Sequence, residues 1–328
     1  MSGSPVSGVA RALALAGIGA LACFGPCPAA AAGYPERPVR FIVALPPGGS
    51  PDLLARTIAN GLNWPDPIVV ENRTSGGRNL AADMVAKSAP DGYTWMLVTD
   101  NILTANPHLG KTPFDPFRDF TPVTLVARLQ LLLVVHPSVP AKSVQELVAL
   151  ARAKPGALNY GSSGNGSAQH LGTAMLQYLA GIEMNHVPYK GAGPALLDLL
   201  PGRIQVWIGA ANSLLPHVKE GRLRLLASVG ARRYPTLPDV PTIAEAGVPG
   251  YSHGVWAAVI MPARVAPAIV TKVNADVGAV VSAPDVKAKL AVQGIDVETS
   301  APQALARLIR EDFDRWGKVV RATGIRAD

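Results

Sequence analysis

The sequence predicts an α/β protein made of two consecutive units, each a parallel or mixed sheet flanked by helices. Three observations predict it. Short β-branched and aromatic runs alternate with helically spaced apolar segments, and Gly-rich turns separate them. The 328 residues suit two domains of about 150 residues each. Apolar residues make up 48% and charged residues 16% of the chain, which favours buried cores over disorder.

In chain order, Val39–Leu45 reads as a strand, PPGGSP as a turn, and Asp52–Leu62 as a helix. Ile68–Val70 is a short strand, TSGGRN a second turn, and a helix follows through Ala86. Tyr93–Thr99 is a strand. The apolar run Val123–His136 is broken by Arg128 and Gln130, and reads as one strand or two. Ser143–Ala153 is a helix whose Ser143 and Glu146 form a capping box. Leu158–Tyr160 leads through GSSGNGS into a helix over Ala168–Leu179. His186–Tyr189 leads through KGAGP into a helix over Ala195–Leu200. Strands follow at Ile204–Ile208, Leu223–Val229 and Val255–Ile260, with a Pro-rich stretch at 234–251 between the last two. Helices at 267–282, 284–293 and 302–321 close the chain.

The four Gly-rich turns carry the functional signal. A helix start leaves main-chain N–H groups unpaired and about half a positive charge. Glycines let an anion approach those groups, and α/β folds place such turns at the carboxyl ends of strands. In the first turn Ser50 reads as the cap, Pro51 as the first helical residue, and Asp52 lies in the first helical turn. The third carries the hydroxyls of Ser162, Ser163 and Ser167; the fourth has Lys190 directly before Gly191. Strand-to-helix turns of this kind also occur for purely structural reasons, and four in one chain shift the reading toward anion binding. Arg78 reads as a bidentate partner for a carboxylate or as a solvated side chain. Asp100 reads as an acceptor for an ammonium group or as a turn former. Arg56 is spaced to pair with Asp52, and Trp207 and Trp256 read as ligand walls or core.

Other chemistries find no complete motif. GSSGNGS is not a nucleophile elbow, since no glycine stands two residues after Ser163 or Ser167. Neither a phosphate-binding P-loop nor a dinucleotide fingerprint is present. The six histidines are scattered, so no metal or cofactor is implied. Ser167 and His170 share one helical turn as a possible nucleophile and base, the basis of a hydrolase alternative. The net charge of +7 favours anionic partners. No long basic run interleaves with aromatics, which argues against nucleic acid.

Residues 1–32 read as a secretory leader. Arg11 precedes an apolar run over 12–24, and Ala30-Ala31-Ala32 resembles a cleavage site. The alternative is an N-terminal membrane anchor, although the run is short for a bilayer. Both cysteines, Cys23 and Cys27, fall in this segment, so its removal leaves a chain without thiols.

From Tyr34 onward the chain resembles the Bug-type extracytoplasmic solute receptors of tripartite tricarboxylate transporters. The resemblance rests on YPERPVRFIVALPPGGSPDLLAR, IVVENRTSGGRNLAADMVAKSAPDGYT, NYGSSGNGSAQHL, HVPYKGAGPALLDLLPGRI and LPDVPTIAEAGVPGY, in that order. It implies a periplasmic-binding-protein fold of type II, with two lobes and a two-strand hinge. Lobe 1 would comprise residues 33–130 plus 228–328, and lobe 2 residues 131–227. It also implies that Pro47, Gly48, Gly49, Ser50 and Asp52 grip the ligand carboxylate from one lobe. Ser162, Ser163, Gly164, Gly166, Ser167 and His170 would grip it from the other, with Tyr189 and Lys190 of the fourth turn nearby. The implied partners are a small organic acid and membrane transporter subunits, or else a sensor kinase, for a monomeric receptor that catalyses nothing. Three positions depart from the family pattern. Arg78 stands where glycine is usual, Asp100 beside Asn101 where small polar residues are typical, and Gln205 where Asp is common. These leave the ligand open among di- and tricarboxylates, aromatic acids, amino acids and amides.

Overall fold

The computed structural model describes Met1, Gly3 and residues 33–74 and 78–325. The leader over 1–32 and residues Ser75, Gly76 and Gly77 of the second turn lie outside the described residues, Met1 and Gly3 apart.

The strands are β1 (Val39–Val43), β2 (Ile68–Asn72), β3 (Thr94–Thr99), β4 (Phe120–Leu129), β5 (Leu131–Val135), β6 (Asn159–Ser162), β7 (Asn185–Pro188), β8 (Val206–Ala210), β9 (Arg224–Ser228), β10 (Val255–Pro262) and β11 (Ile295–Val297). The helices are α1 (Ser50–Gly61), α2 (Arg78–Ala86), α3 (Asp100–Thr104), α4 (Asn106–Leu109), α5 (Val144–Ala153), α6 (Ala168–Ala180), α7 (Ala192–Leu199), α8 (Ala211–Lys219), α9 (Pro267–Ser282), α10 (Pro284–Val292) and α11 (Pro302–Thr323).

The strands form two mixed sheets, ordered β11-β4-β10-β3-β1-β2 and β7-β6-β8-β5-β9. In the first, β1 runs parallel to β2 and β3, and β10 runs antiparallel to β3 and β4. Every residue of β3 and of β10 is buried, as expected of central strands covered on both faces. In the second, β6 runs parallel to β7 and β8, while β5 runs antiparallel to β8 and β9. Trp207 and Trp256 are core residues, 2% and 0% exposed. The indole of Trp256 donates to Asp312 Oδ2 at 2.8 Å.

The apolar run over 123–136 is two strands in different sheets, and Gln130 is the break. At the crossing, neither ladder satisfies the main chain, so other groups must. Gln130 N–H donates to Gly294 O at 2.8 Å, and its carbonyl accepts from Ala211 N at 2.9 Å. Its side chain donates to Asp296 Oδ1 at 2.8 Å and accepts from Thr236 Oγ1 at 2.9 Å. A buried amide thus meets every demand of the crossing, which explains a polar residue inside an apolar run. The return crossing lies alongside: Val229 N–H donates to Leu131 O at 3.0 Å, and Leu131 N–H donates to the Tyr234 hydroxyl at 3.0 Å.

Three helices and one strand differ from the sequence expectation. α3 and α4 are too short to show a period, and β11 is three residues long. α8 holds Pro216 in its interior, which reads as a breaker in sequence. The α7 helix also starts earlier than expected, at Ala192.

Gly161 sets how closely β6 packs. A Cβ there would press on Ile204 Cδ1 and lie 2.8 Å from Trp207 Cε3. Gly161→Ala is expected to cost about 1–3 kcal/mol through overpacking, read as a lower urea midpoint with an unchanged slope.

Candidate functional site

The first turn leaves the carboxyl end of β1 and enters α1. Pro47, Gly48 and Gly49 are exposed and Ser50 is partly so. Gly48 has φ +86, a conformation that disfavours a side chain. The cap is Gly49 rather than Ser50, and no side chain caps the helix. The sequence expectation therefore shifts by one residue, with a chemical consequence. Among the described residues, the N–H groups of Gly49 and Ser50 meet no acceptor, so the start of α1 is open to an external anion.

Asp52 lies under this turn and is 4% exposed. Its carboxylate accepts from Gly48 N–H at 2.9 Å, from Asn72 Nδ2 at 2.9 Å and from Arg56 Nε at 3.1 Å. Burial alone would raise its pKa. The bonds from Arg56, Gly48 and Asn72 outweigh burial and hold it below the ordinary carboxylate value. Asp52 is thus committed to its own turn and neutralised by Arg56, the i, i+4 pairing that the spacing suggested.

The turn from β6 into α6 is built differently. Ser167 caps α6: its hydroxyl, fully buried, accepts from His170 N–H at 3.3 Å. Gly166 N–H donates to His170 Nδ1 at 3.2 Å. Ser162 Oγ meets His186 Nε2 at 2.7 Å, and Ser163 Oγ donates to Gln169 Oε1 at 2.8 Å. Gly164 and Gly166 have φ +110 and +67, which allow the double bend. The His170 ring stacks on His186 at 4.1 Å, and His186 stacks on Tyr160 at 4.9 Å. Burial, then the like charge of His186, lowers the His170 pKa to about 4. This turn is therefore neutral at pH 7 and largely satisfied from within. Ser167 and His170 meet through hydroxyl and main chain, and the imidazole Nδ1 is spent on Gly166, so the nucleophile–base pairing considered from sequence does not form.

Two further turns adjoin it. Asn101, 2% exposed, accepts from Thr99 Oγ1 at 2.9 Å and donates to Gly166 O at 3.0 Å, which links α3 of the first sheet to the start of α6. Asn106 donates to Asn79 Oδ1 at 2.8 Å, which draws the start of α2 to α4. Arg78 is the first residue of α2. Tyr189 N–H donates to Ser162 O at 3.0 Å, and its hydroxyl donates to Asp198 Oδ2 at 2.8 Å. Lys190 is exposed. Gln205 bonds Asn159 N–H and Gly202 O, a structural role.

Asp100 does not meet the turns. It is fully buried, and among the described residues no well-formed hydrogen bond reaches either carboxylate oxygen. Burial first, then the charge of Asp312, pushes its pKa up to about 8, with the nearby main-chain N–H of Asn101, the charge of Arg315 and the main-chain N–H of Trp256 opposing. The departure from the family pattern therefore acts on the packing of α3 against α11. Surface grooves of about 390 Å³, beside Phe117 and Arg310, and of about 500 Å³, beside Gln145 and Asp239, are lined by none of the candidate ligand residues. Asn72, Asn106 and His186 take part in these turns and were not singled out; an Asn ending a strand reads only as a turn former.

The Asp100 geometry sets a pH dependence. The unfolded carboxyl ionises near 3.8 and the folded one near 8, so the contribution is intact below about 4 and lost as pH rises toward 8. Asp100→Asn carries no such loss. Its melting temperature relative to wild type is expected to rise between pH 5 and about pH 8 and to level off above that, and a flat difference from pH 5 to pH 8 would contradict the buried protonated acid.

The tripartite tricarboxylate transporter family receptor, TctC, matches residues 54–325. BugT of Bordetella pertussis is 35% identical over 318 residues, 96% of this chain and 98% of its own. The structure of R. palustris Rpa4515 with adipate is 38% identical with a TM-score of 0.83, over 89% of this chain and 99% of that one. MatC from Rhodopseudomonas palustris with bound malate is 32% identical with a TM-score of 0.79, over 88% of this chain and 100% of that one. The chain belongs to the Bug-type receptors of the tripartite tricarboxylate transporter family and has the type II periplasmic-binding-protein fold.

Proposed function

We propose that the protein is a periplasmic receptor that captures a small organic acid by its carboxylate and delivers it to the membrane subunits of a tripartite transporter. The observation that carries this reading is the exposed, uncapped start of α1 behind Gly48-Gly49. Its amides offer a carboxylate direct hydrogen bonds and a favourable dipole without a full positive charge. Relatives with adipate and with malate support the ligand class. We infer that residues 33–130 with 228–328 form one lobe and 131–227 the other. The crossings at Gln130 and Val229 then serve as the hinge, and the ligand favours the closed form through contacts made only there. Residues 1–32 act as a leader for export, and the receptor works as a monomer without a cofactor.

Calorimetric titration of the protein lacking residues 1–32 with adipate, malate, citrate, benzoate and glutamate is expected to show saturable binding of at least one. Dissociation constants all weaker than about 1 mM, some −4 kcal/mol, would sink the reading. Ser167→Ala is expected to remove a helix cap worth about 1 kcal/mol and to weaken binding modestly, with the bound acid recovered unchanged in both proteins. Conversion of the acid by the wild type but not by the variant would favour an enzyme instead.

A further inference from the structure

Asn72, the last residue of β2, spends its whole side-chain amide on the first turn. Nδ2 donates to Leu45 O at 2.9 Å and to Asp52 Oδ1 at 2.9 Å, and Oδ1 accepts from Arg56 Nη2 at 3.1 Å. Asp52 passes the constraint on by holding Gly48 N–H at 2.9 Å. The exit from β1, the start of α1 and the end of β2 are thereby joined through one amide and one carboxylate. Without them the exposed turn over 46–50 is anchored mainly by the helix bond from Leu53 N–H to Gly49 O at 3.0 Å. A Pro-Pro-Gly-Gly turn with Gly48 at φ +86 has other conformations open to it, and ordering such residues costs free energy at the moment of binding.

We propose that Asn72 is a positioning residue for ligand capture: acting through Asp52, it holds the first turn so that the free amides of α1 are in place before the ligand arrives. The proposal rests on the reading of the α1 start as the carboxylate site. Asn72 touches the turn from beneath and contributes no donor to the ligand, since both its amide protons are already spent. Arg73, the next residue, pairs with Glu71 and among the described residues makes no bond to the turn over 46–50, which makes it a control just beyond the strand.

The test uses the protein lacking residues 1–32, with adipate and malate as probes, and compares wild type with Asn72→Leu, Asn72→Ser and Arg73→Ala. Leucine keeps the branching of asparagine at Cγ but is bulkier and forms none of its hydrogen bonds; serine is the milder variant should leucine impair folding. Affinity is read by calorimetry, local order by amide hydrogen exchange at Gly48–Ser50, and global stability by melting temperature. Loss of preorganisation over one or two residues is expected to weaken binding about 10- to 100-fold. Exchange at Gly48–Ser50 should speed up in both Asn72 variants while the melting temperature changes little, and Arg73→Ala should match wild type. A merely structural role would lower the melting temperature and leave the affinity of the folded variant within about twofold of wild type; that result, or unchanged exchange at the turn, overturns the proposal. Failure of wild type to bind any acid overturns the receptor reading itself. It is told apart from failure of this inference, in which wild type and variant bind equally well.

Discussion

A main-chain N–H at a helix start must find an acceptor, and the two Gly-rich turns meet that demand in opposite ways. At α6 the chain supplies its own acceptors, the Ser167 hydroxyl and the His170 ring. At α1 no side chain caps the helix, and among the described residues no acceptor meets the amides of Gly49 and Ser50 on their exposed turn. An unpaired donor that costs stability when buried costs little at the surface, where water meets it until a carboxylate displaces the water. The candidate site therefore lies where the fold leaves its own hydrogen bonding unfinished.

Full charges are kept out of the turns. Asp52 is buried and neutralised by Arg56, and His170 is held neutral by burial and by its neighbour His186. On the proposed reading, main-chain dipoles do the recognition, which couples affinity to how firmly the turn is held. The side chains that hold it come from elsewhere in the chain: Asn72 from the end of β2 for the first turn, and Asn101 from α3 for the turn before α6. The Asn101 bond spans the two sheets, so the packing of α3 bears on both. The buried carboxylate of Asp100 sits next to Asn101 in the chain, near Asp312 and Arg315 of α11.

Much of the fold was legible because it follows from local pattern. The strands with strong apolar runs, the capping box of Ser143 and Glu146, and the Gly-rich turns are fixed by side chains within a few residues of one another. Other features were not. The break at Gln130 looks like a blemish in one long strand until Gly294, Ala211, Asp296 and Thr236 are seen to surround it. That Asp52 ties its own turn to Asn72 and Gly48 is not visible in the sequence. Asp100 reads as an ammonium acceptor or a turn former, yet it is completely buried, beside Asp312 and Arg315 of α11, far along the chain.

The sequence by itself determined the alternation of strands and helices, the Gly-rich turns at the carboxyl ends of strands, and the family, because periodicity and turn chemistry are local properties of the chain. Only the tertiary structure decided which turn stays open, which polar side chains serve as props, and which acid is shut away from water. Those outcomes depend on partners distant in sequence, and a hydrogen bond or a desolvation exists only once folding has brought its two sides together.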